Sequence, residues 1–498
     1  MLATLLLVPS ALPAIQAPEV GIAAGRLAGA RANGVAVFKG IPYAAPPVGP
    51  LRWRAPQSGP SWNGVRDAAS FGPVCPQHAT EGLVARADLP QSEDCLTLNV
   101  WTPDLHPAAG LPVMVWIHGG GFDQGGSSVP RYDGGALAQH GIVVVTFNYR
   151  LGRLGFFALP ALAAEHPGEP FANYGLLDQI AALQWVRDNI AAFGGDPAEV
   201  TIFGESAGGV SVDALMASPA ARGLFARAIS ESGAVFGTAE LADAERSAAA
   251  FAQRLGAGGD DALAKLRSAS VDSILAAQGD ENGPVVDGTL LREDIAVAFA
   301  EGHIARVPYL TGTNSDEGSL LRGQTADFLT APLGDRLPSV RARYEEGGKI
   351  SDAEFDRLLF NDYFFAATSR LLAGFVARAG GAAYVYRFQF LPAILRMRHA
   401  PGVMHGGEMA FVFGFGPLGA FAPPQDLAVR DMVQAYWTNF AKTGDPNGAG
   451  LPEWPRFEGA APATLVIDDT TRAVPDFRKR ETDVPLEMWA QRNRLPLP

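Results

Sequence analysis

Ser206 lies in the string Phe203-Gly204-Glu205-Ser206-Ala207-Gly208, directly after the apolar run Val200-Thr201-Ile202-Phe203 and before a small-residue stretch that begins at Gly209. A G-x-S-x-G pattern between a strand and a helix is a nucleophile elbow. Its two glycines allow a sharp, strained turn that lifts the serine oxygen out of the sheet and leaves room for an acyl carbonyl beside it. The pattern alone is weak, because a chain with 57 Gly in 498 residues meets it by chance on the order of 0.4 times. A second string strengthens it. Pro112 to Ile117 reads as a buried strand that runs into His118-Gly119-Gly120-Gly121-Phe122, and a glycine run after a strand exposes backbone N–H donors to a developing oxyanion. Either string by itself is compatible with an ordinary tight turn. Together, in this order and each after a strand, they point to acyl transfer, with Ser206 as nucleophile and the N–H groups of Gly120, Gly121 and Ala207 as the oxyanion hole.

Such a serine needs a histidine base and a carboxylate to orient it, in the chain order Ser, acid, His. His303, His399 and His405 are the histidines after Ser206. His405 is followed by two glycines in Met404-His405-Gly406-Gly407-Glu408, a loop from which an imidazole can project from a strand end. His399 follows the basic stretch Arg396-Met397-Arg398, and His303 sits at an expected helix end where a cation complements the dipole. His405 is therefore the candidate base. For the acid, Tyr309 to Gly312 reads as a short strand leading into Thr313-Asn314-Ser315-Asp316-Glu317-Gly318. Asp316 and Glu317 are adjacent, and spacing does not choose between them.

Several longer strings resemble the type-B carboxylesterases, which share a fold with the cholinesterases, and in particular their bacterial para-nitrobenzyl-esterase-like members. They are FKGIPYAAPPVGPLRWRAP at 38 to 56, EDCLTLNVW at 93 to 101, NYRLGRLGFF at 148 to 157, NYGLLDQIAALQWVRDNI at 173 to 190 and FGGDPAEVTIFGESAGG at 193 to 209. The resemblance implies that the acid is Glu317, the residue before the glycine of the DEG string, and it agrees on Gly120, Gly121 and Ala207. It implies a disulfide between Cys75 and Cys95, structural ion pairs Arg150 with Asp178 and Arg52 with Glu93, and a supporting place near the site for Ser232. Cholinesterases supply a cation-binding tryptophan from the loop between the two bonded cysteines. Here that loop reads PQHATEGLVARADLPQSED, residues 76 to 94, with no aromatic side chain.

The elements that must position these residues alternate strand and helix, the pattern of an α/β fold with a central, mostly parallel sheet covered by helices on both faces. Residues 20 to 60 read as short antiparallel strands with proline-rich turns. Core strands are expected near 97 to 101, 112 to 117, 142 to 147, 200 to 204 and 382 to 388. A helix is expected from Leu177 to Phe193, ended by Gly194-Gly195, and another from Leu427 to Thr443. Stretches rich in Ala, Leu and charge, near 239 to 300 and 323 to 380, read as helical insertions that wall the pocket of a single domain over 18 to 498. Phe411, Phe413 and Phe415 read as core in preference to substrate wall. Glu205, beside the nucleophile in a water-poor pocket, either tunes the field at the base or is held protonated by its neighbours.

Charge and composition exclude some partners. The chain is 48% hydrophobic and 18% charged, with a net charge of −13, and no basic stripe suits nucleic acid or an anionic membrane. Leu2 to Val8 form an apolar run too short to span a bilayer, followed by Pro9, Pro13 and Ala17. This resembles a signal segment over residues 1 to 17 without a basic start. With the two cysteines it leads to a periplasmic or secreted location, against the cytoplasmic alternative. The expected partner is a small-molecule ester, with no metal or organic cofactor and no stable membrane insertion, and the residues leave monomer and homodimer open. An amidase, lactonase or transacylase would use the same three residues. A non-enzymatic adhesion module on the same fold is disfavoured, because such a module is expected to have lost a nucleophile or base.

Overall fold

The computed structural model describes residues 17–78, 88–233, 238–259, 261–279, 283–416, 422–493 and 497–498. All but the last residue of the expected signal segment, and residues 79 to 87 between the cysteines, lie outside them. The central sheet has eleven strands, in the order Arg472–Pro475, Ala463–Ile467, Ala383–Phe388, Tyr309–Asn314, Arg227–Glu231, Gly195–Glu205, Leu111–Ile117, Val143–Phe147, Thr97–Thr102, Val35–Pro42 and Ala30–Ala32. The seven strands from Ala463–Ile467 to Val143–Phe147 pair in parallel, and those at the two sides pair antiparallel. Because parallel strands share a direction, the expected site strings all leave the sheet at the same edge, where ligands of open α/β sheets bind.

Burial on both faces explains the near-continuous apolar strand sequences. Val113, Val115 and Ile117 pack on one face with Leu176, Ile180 and Leu183 of the helix Tyr174–Asn189. Met114 and Trp116 pack on the other with Val433, Trp437 and Phe440 of the helix Pro424–Thr443. Both helices begin three residues before their expected starts. The first continues as a 3-10 turn, Ile190–Phe193, and is stopped by Gly194 at φ 82°, a left-handed conformation that glycine adopts without strain. The two helical insertions have their own small cores, one around Phe251, Leu266 and Ile274 and one around Leu329, Tyr344 and Phe355. Phe411 and Phe413 are buried in the core cluster on the Trp116 face of the sheet, with Phe415 packed against it, in keeping with the core reading of these rings.

Cys75 and Cys95 are joined, as the resemblance implied. Arg52 holds Glu93 through Nε and Nη2 at 2.7 Å each, and its Nη1 donates to the carbonyl of Ala269 at 2.8 Å, tying the cysteine loop to the first insertion. Arg150 and Asp178 form a buried two-point pair at 2.8 and 2.7 Å. Both pairs act in the scaffold. Among the described residues no helix is long and apolar enough to cross a membrane.

Candidate active site

Ser206 is the residue between the strand Gly195–Glu205 and the helix Ala207–Ala217, with φ 60° and ψ −123°. The elbow therefore stores its backbone strain on the serine itself, a conformation costing about 1–3 kcal/mol. This corrects the expectation that Gly204 and Gly208 carry the strain, since neither has a positive φ. They are required for close approach. A Cβ on Gly208 would meet the Ile117 carbonyl oxygen at 2.0 Å, and one on Gly204 would meet the Gly208 oxygen at 2.5 Å. The glycine loop is pressed onto the elbow in the same way, because a Cβ on Gly119 would lie 3.0 Å from Cβ of Ser206. Gly120 and Gly121, at φ 111° and 63°, follow directly. Ala207 is the first residue of its helix, where N–H groups have no intrahelical acceptor.

Glu317 and Asp316 part company at the 3-10 turn Glu317–Leu321. Glu317 is fully buried and its Oε2 lies 2.5 Å from Nδ1 of His405. Its Oε1 accepts the hydroxyl of Ser232 and the N–H of Asn314, each at 2.6 Å. Asp316 turns the other way, to Arg357 at 2.6 Å. The geometry thus pairs Glu317 with the imidazole and gives Ser232 its supporting contact. His405 is held from its own chain as well, its N–H donating to Oγ of Ser319 at 3.0 Å. His303 is exposed and pairs with Glu293, and His399 is exposed, so neither joins the site.

The other imidazole nitrogen, Nε2, lies 3.1 Å from Oε1 of Glu205. That contact is an ion pair, not an aligned hydrogen bond, and Nε2 makes no hydrogen bond to any described residue, Ser206 included. Catalytic hydrogen bonds of this kind commonly align only when substrate is bound. Burial alone would lower the basicity of His405. It is outweighed by the charges of Glu205 and Glu317, the hydrogen bond that Nδ1–H donates to Glu317 and the charge of Glu408, which push the pKa up to about 9. The unperturbed value of about 6.5 is therefore not the one this pocket sets.

Sequence reasoning missed the other acids beneath the site. Glu231 pairs in register with Glu205 on the neighbouring parallel strand, so both carboxyls leave the same face of the sheet. Burial raises Glu205 to about 7, with the charge of Glu317 adding to the effect. Burial likewise raises Glu231 to about 8, although it accepts the Trp437 indole N–H at 3.1 Å. Glu408, three residues past His405 and bonded to Asn314, is raised well above its ordinary value, again by burial first. Their available signals were position only: Glu231 closes an apolar strand beside Ser232, and Glu408 follows the glycine pair after His405.

Removal of the Glu205 charge tests this field. The base must be neutral to accept a proton, so the acid limb of kcat/KM should lie above 6.5, towards 9. In Glu205→Gln the largest charge that raises His405 is lost, and the limb should move to lower pH by at least about half a unit, with a lower plateau. An unmoved midpoint in the pH profile of the variant would separate Glu205 from the base.

Comparison with known proteins agrees with the strings and the geometry. A model of the carboxylesterase family matches residues 16–333 and 342–484. The para-nitrobenzyl esterase of Bacillus subtilis is 39% identical over 485 residues, covering 92% of this chain and 96% of that one. The fumonisin B1 esterase of Sphingopyxis macrogoltabida is 38% identical over 450 residues, covering 85% of this chain and 82% of the relative. A solved para-nitrobenzyl esterase structure superposes with a TM-score of 0.83 at 36% identity, over 93% of this chain and 98% of that one. With the match extending through nearly every strand of an alpha/beta-hydrolase sheet, the chain belongs to the carboxylesterase family and is a carboxylic ester hydrolase.

Proposed function

We propose that the chain hydrolyses neutral carboxylic esters of short to medium acyl chain through an acyl-enzyme on Ser206. The observation that carries this reading is a buried imidazole held by Glu317 at the sheet edge where a strained serine faces a glycine loop. Ser206 Oγ attacks the ester carbonyl and its proton passes to Nε2 of His405. The oxyanion rests on the N–H groups of Gly120, Gly121 and Ala207. Glu317 fixes the tautomer and stabilises the imidazolium. The imidazolium then gives its proton to the leaving alkoxide, and the alcohol departs. Water, deprotonated by the same imidazole, attacks the acyl-enzyme, and the proton returns to Ser206 as the acid leaves.

The neutral preference rests on what residues 76 to 94 lack. A quaternary ammonium group binds over an aromatic face, and this loop has none. At moderate ionic strength, where the acidic surface is screened, kcat/KM for a choline ester should fall below that for its uncharged isostere, 3,3-dimethylbutyl ester, by about tenfold. Equal or faster turnover of the choline ester would remove the neutral preference, and failure to hydrolyse either would remove the esterase reading of the site.

A further inference from the structure

The second helical insertion carries a rare element. Residues Asp362–Ala366 form one turn of π-helix, a feature frequent at functional sites. It is anchored at its N-terminal end: Asn361 Oδ1 accepts the N–H of Glu317 at 3.2 Å, and Asp362 is paired with Arg478 at 2.6 Å. The turn sets Phe365 against the imidazole, with ring centroids of Phe365 and His405 5.3 Å apart. From there the rings continue outward, Phe365 to Phe360 at 6.1 Å, Phe360 to Phe364 at 4.8 Å and Phe364 to Phe328 at 6.2 Å. Phe328 is 55% exposed, and Leu320 and Met404, which flank Ser319 and His405 in sequence, are 40% and 44% exposed. Of the seven large apolar side chains that the described residues leave exposed, Phe328 closes a strip of rings that starts at the candidate base, and Leu320 and Met404 lie on the two segments that carry Glu317 and His405.

We infer that this aromatic ladder is the binding wall for a bulky apolar alcohol portion of the ester. The inference rests on the ester-hydrolase reading of Ser206 and His405. The assignment to the alcohol side follows from proton transfer. His405 must meet the leaving oxygen to protonate it, so the carbon substituent on that oxygen is carried to the imidazole side of the site. The acyl substituent of the tetrahedral centre takes the remaining direction. An apolar group on the alcohol then passes Leu320 and Met404 and lies along Phe364 and Phe328, where its burial removes apolar surface from water on both partners.

Two isomeric esters separate the alcohol side from the acyl side: 4-biphenylmethyl acetate carries the rings on the alcohol, and methyl 4-biphenylacetate carries them on the acid. In the Phe328→Ala and Phe364→Ala variants of the full chain, the ratio of kcat/KM for the first ester to that for the second should fall about tenfold, mainly through KM. Met397→Ala, which truncates an exposed methionine outside the strip, should leave the ratio unchanged. Phe364→Leu provides a milder change should Phe364→Ala lower the melting temperature. An unchanged ratio in the folded variants, an equal loss on both esters, or a change in sedimentation on replacing Phe328 that marks the strip as a contact between copies would each overturn the inference. Ethyl acetate serves as the separate arm: wild-type protein that cannot hydrolyse it contradicts the parent reading, whereas hydrolysis with an unchanged ratio contradicts the ladder alone.

Discussion

Ser206→Ala is expected to lower kcat by about 10⁵-fold and to leave the fold in place, because loss of the nucleophile in a serine, histidine and acid set removes nearly all covalent catalysis at once. The residual rate would come from the oxyanion donors and from binding. Folding should survive because the substitution removes one hydroxyl and keeps the Cβ, and alanine must accept the same φ of 60° that serine already holds. The strain is thus carried over, not created. Turnover of a neutral ester, circular dichroism and covalent labelling by an organophosphate check the three parts. A variant that keeps its turnover, or a wild-type protein labelled elsewhere than Ser206, would sink the assignment.

The second large effect separates two adjacent carboxylates. Glu317→Gln should lower kcat by about 10⁴-fold, while Asp316→Asn should cost less than about tenfold. Glu317 uses both oxygens as acceptors: one takes two donors, from Ser232 and Asn314, and the other takes Nδ1–H of His405. An amide has one oxygen, so either two donors or the imidazole must face its NH₂ group. If the NH₂ group faces the ring, Nδ1 has to become the acceptor and the proton moves to Nε2, the atom that must be free to receive the proton of Ser206. Asp316, by contrast, loses only part of its pair with the partly exposed Arg357. Matched kcat/KM series on the two variants decide the point, and comparable losses, or a greater loss at Asp316, would overturn the choice.

Much of this arrangement was legible because strand sequence and chemistry coincide. The apolar runs ending at Ile117 and Phe203 are strands buried on both faces, and the glycine strings that follow them lie where parallel strands end. Spacing did not separate the two candidate acids, because a 3-10 turn beginning between two neighbours sends them to opposite partners, and resemblance alone favoured Glu317. Glu231 and Glu408 were missed because nothing local marks a carboxylate as buried; strand register and a returning loop bring them under the site. The elbow strain was misplaced for a related reason. A glycine signals either an unusual φ or a close neighbour, and at Gly204 and Gly208 the neighbour is the cause. The π-turn at Asp362–Ala366 has no sequence period of its own, so the second insertion read only as helix.

The in-register carboxyls of Glu205 and Glu231 set the enzyme's durability against its rate. Glu205 and Glu231, at about 7 and 8, with Asp213 buried to about 7, hold protons in the folded chain that the unfolded chain releases near its ordinary carboxyl range of about 4. His405, at about 9, also binds its proton more tightly folded than unfolded. Each of these groups therefore favours the native state most below its unfolded value and loses that contribution as pH climbs through its folded value. The melting temperature should fall between pH 6 and pH 9, the same interval in which deprotonation of His405 raises turnover, and a flat melting profile there would show that other groups compensate. The fastest enzyme would then be the least durable one. The pH of greatest total product over a long incubation should accordingly lie below the pH of greatest initial rate.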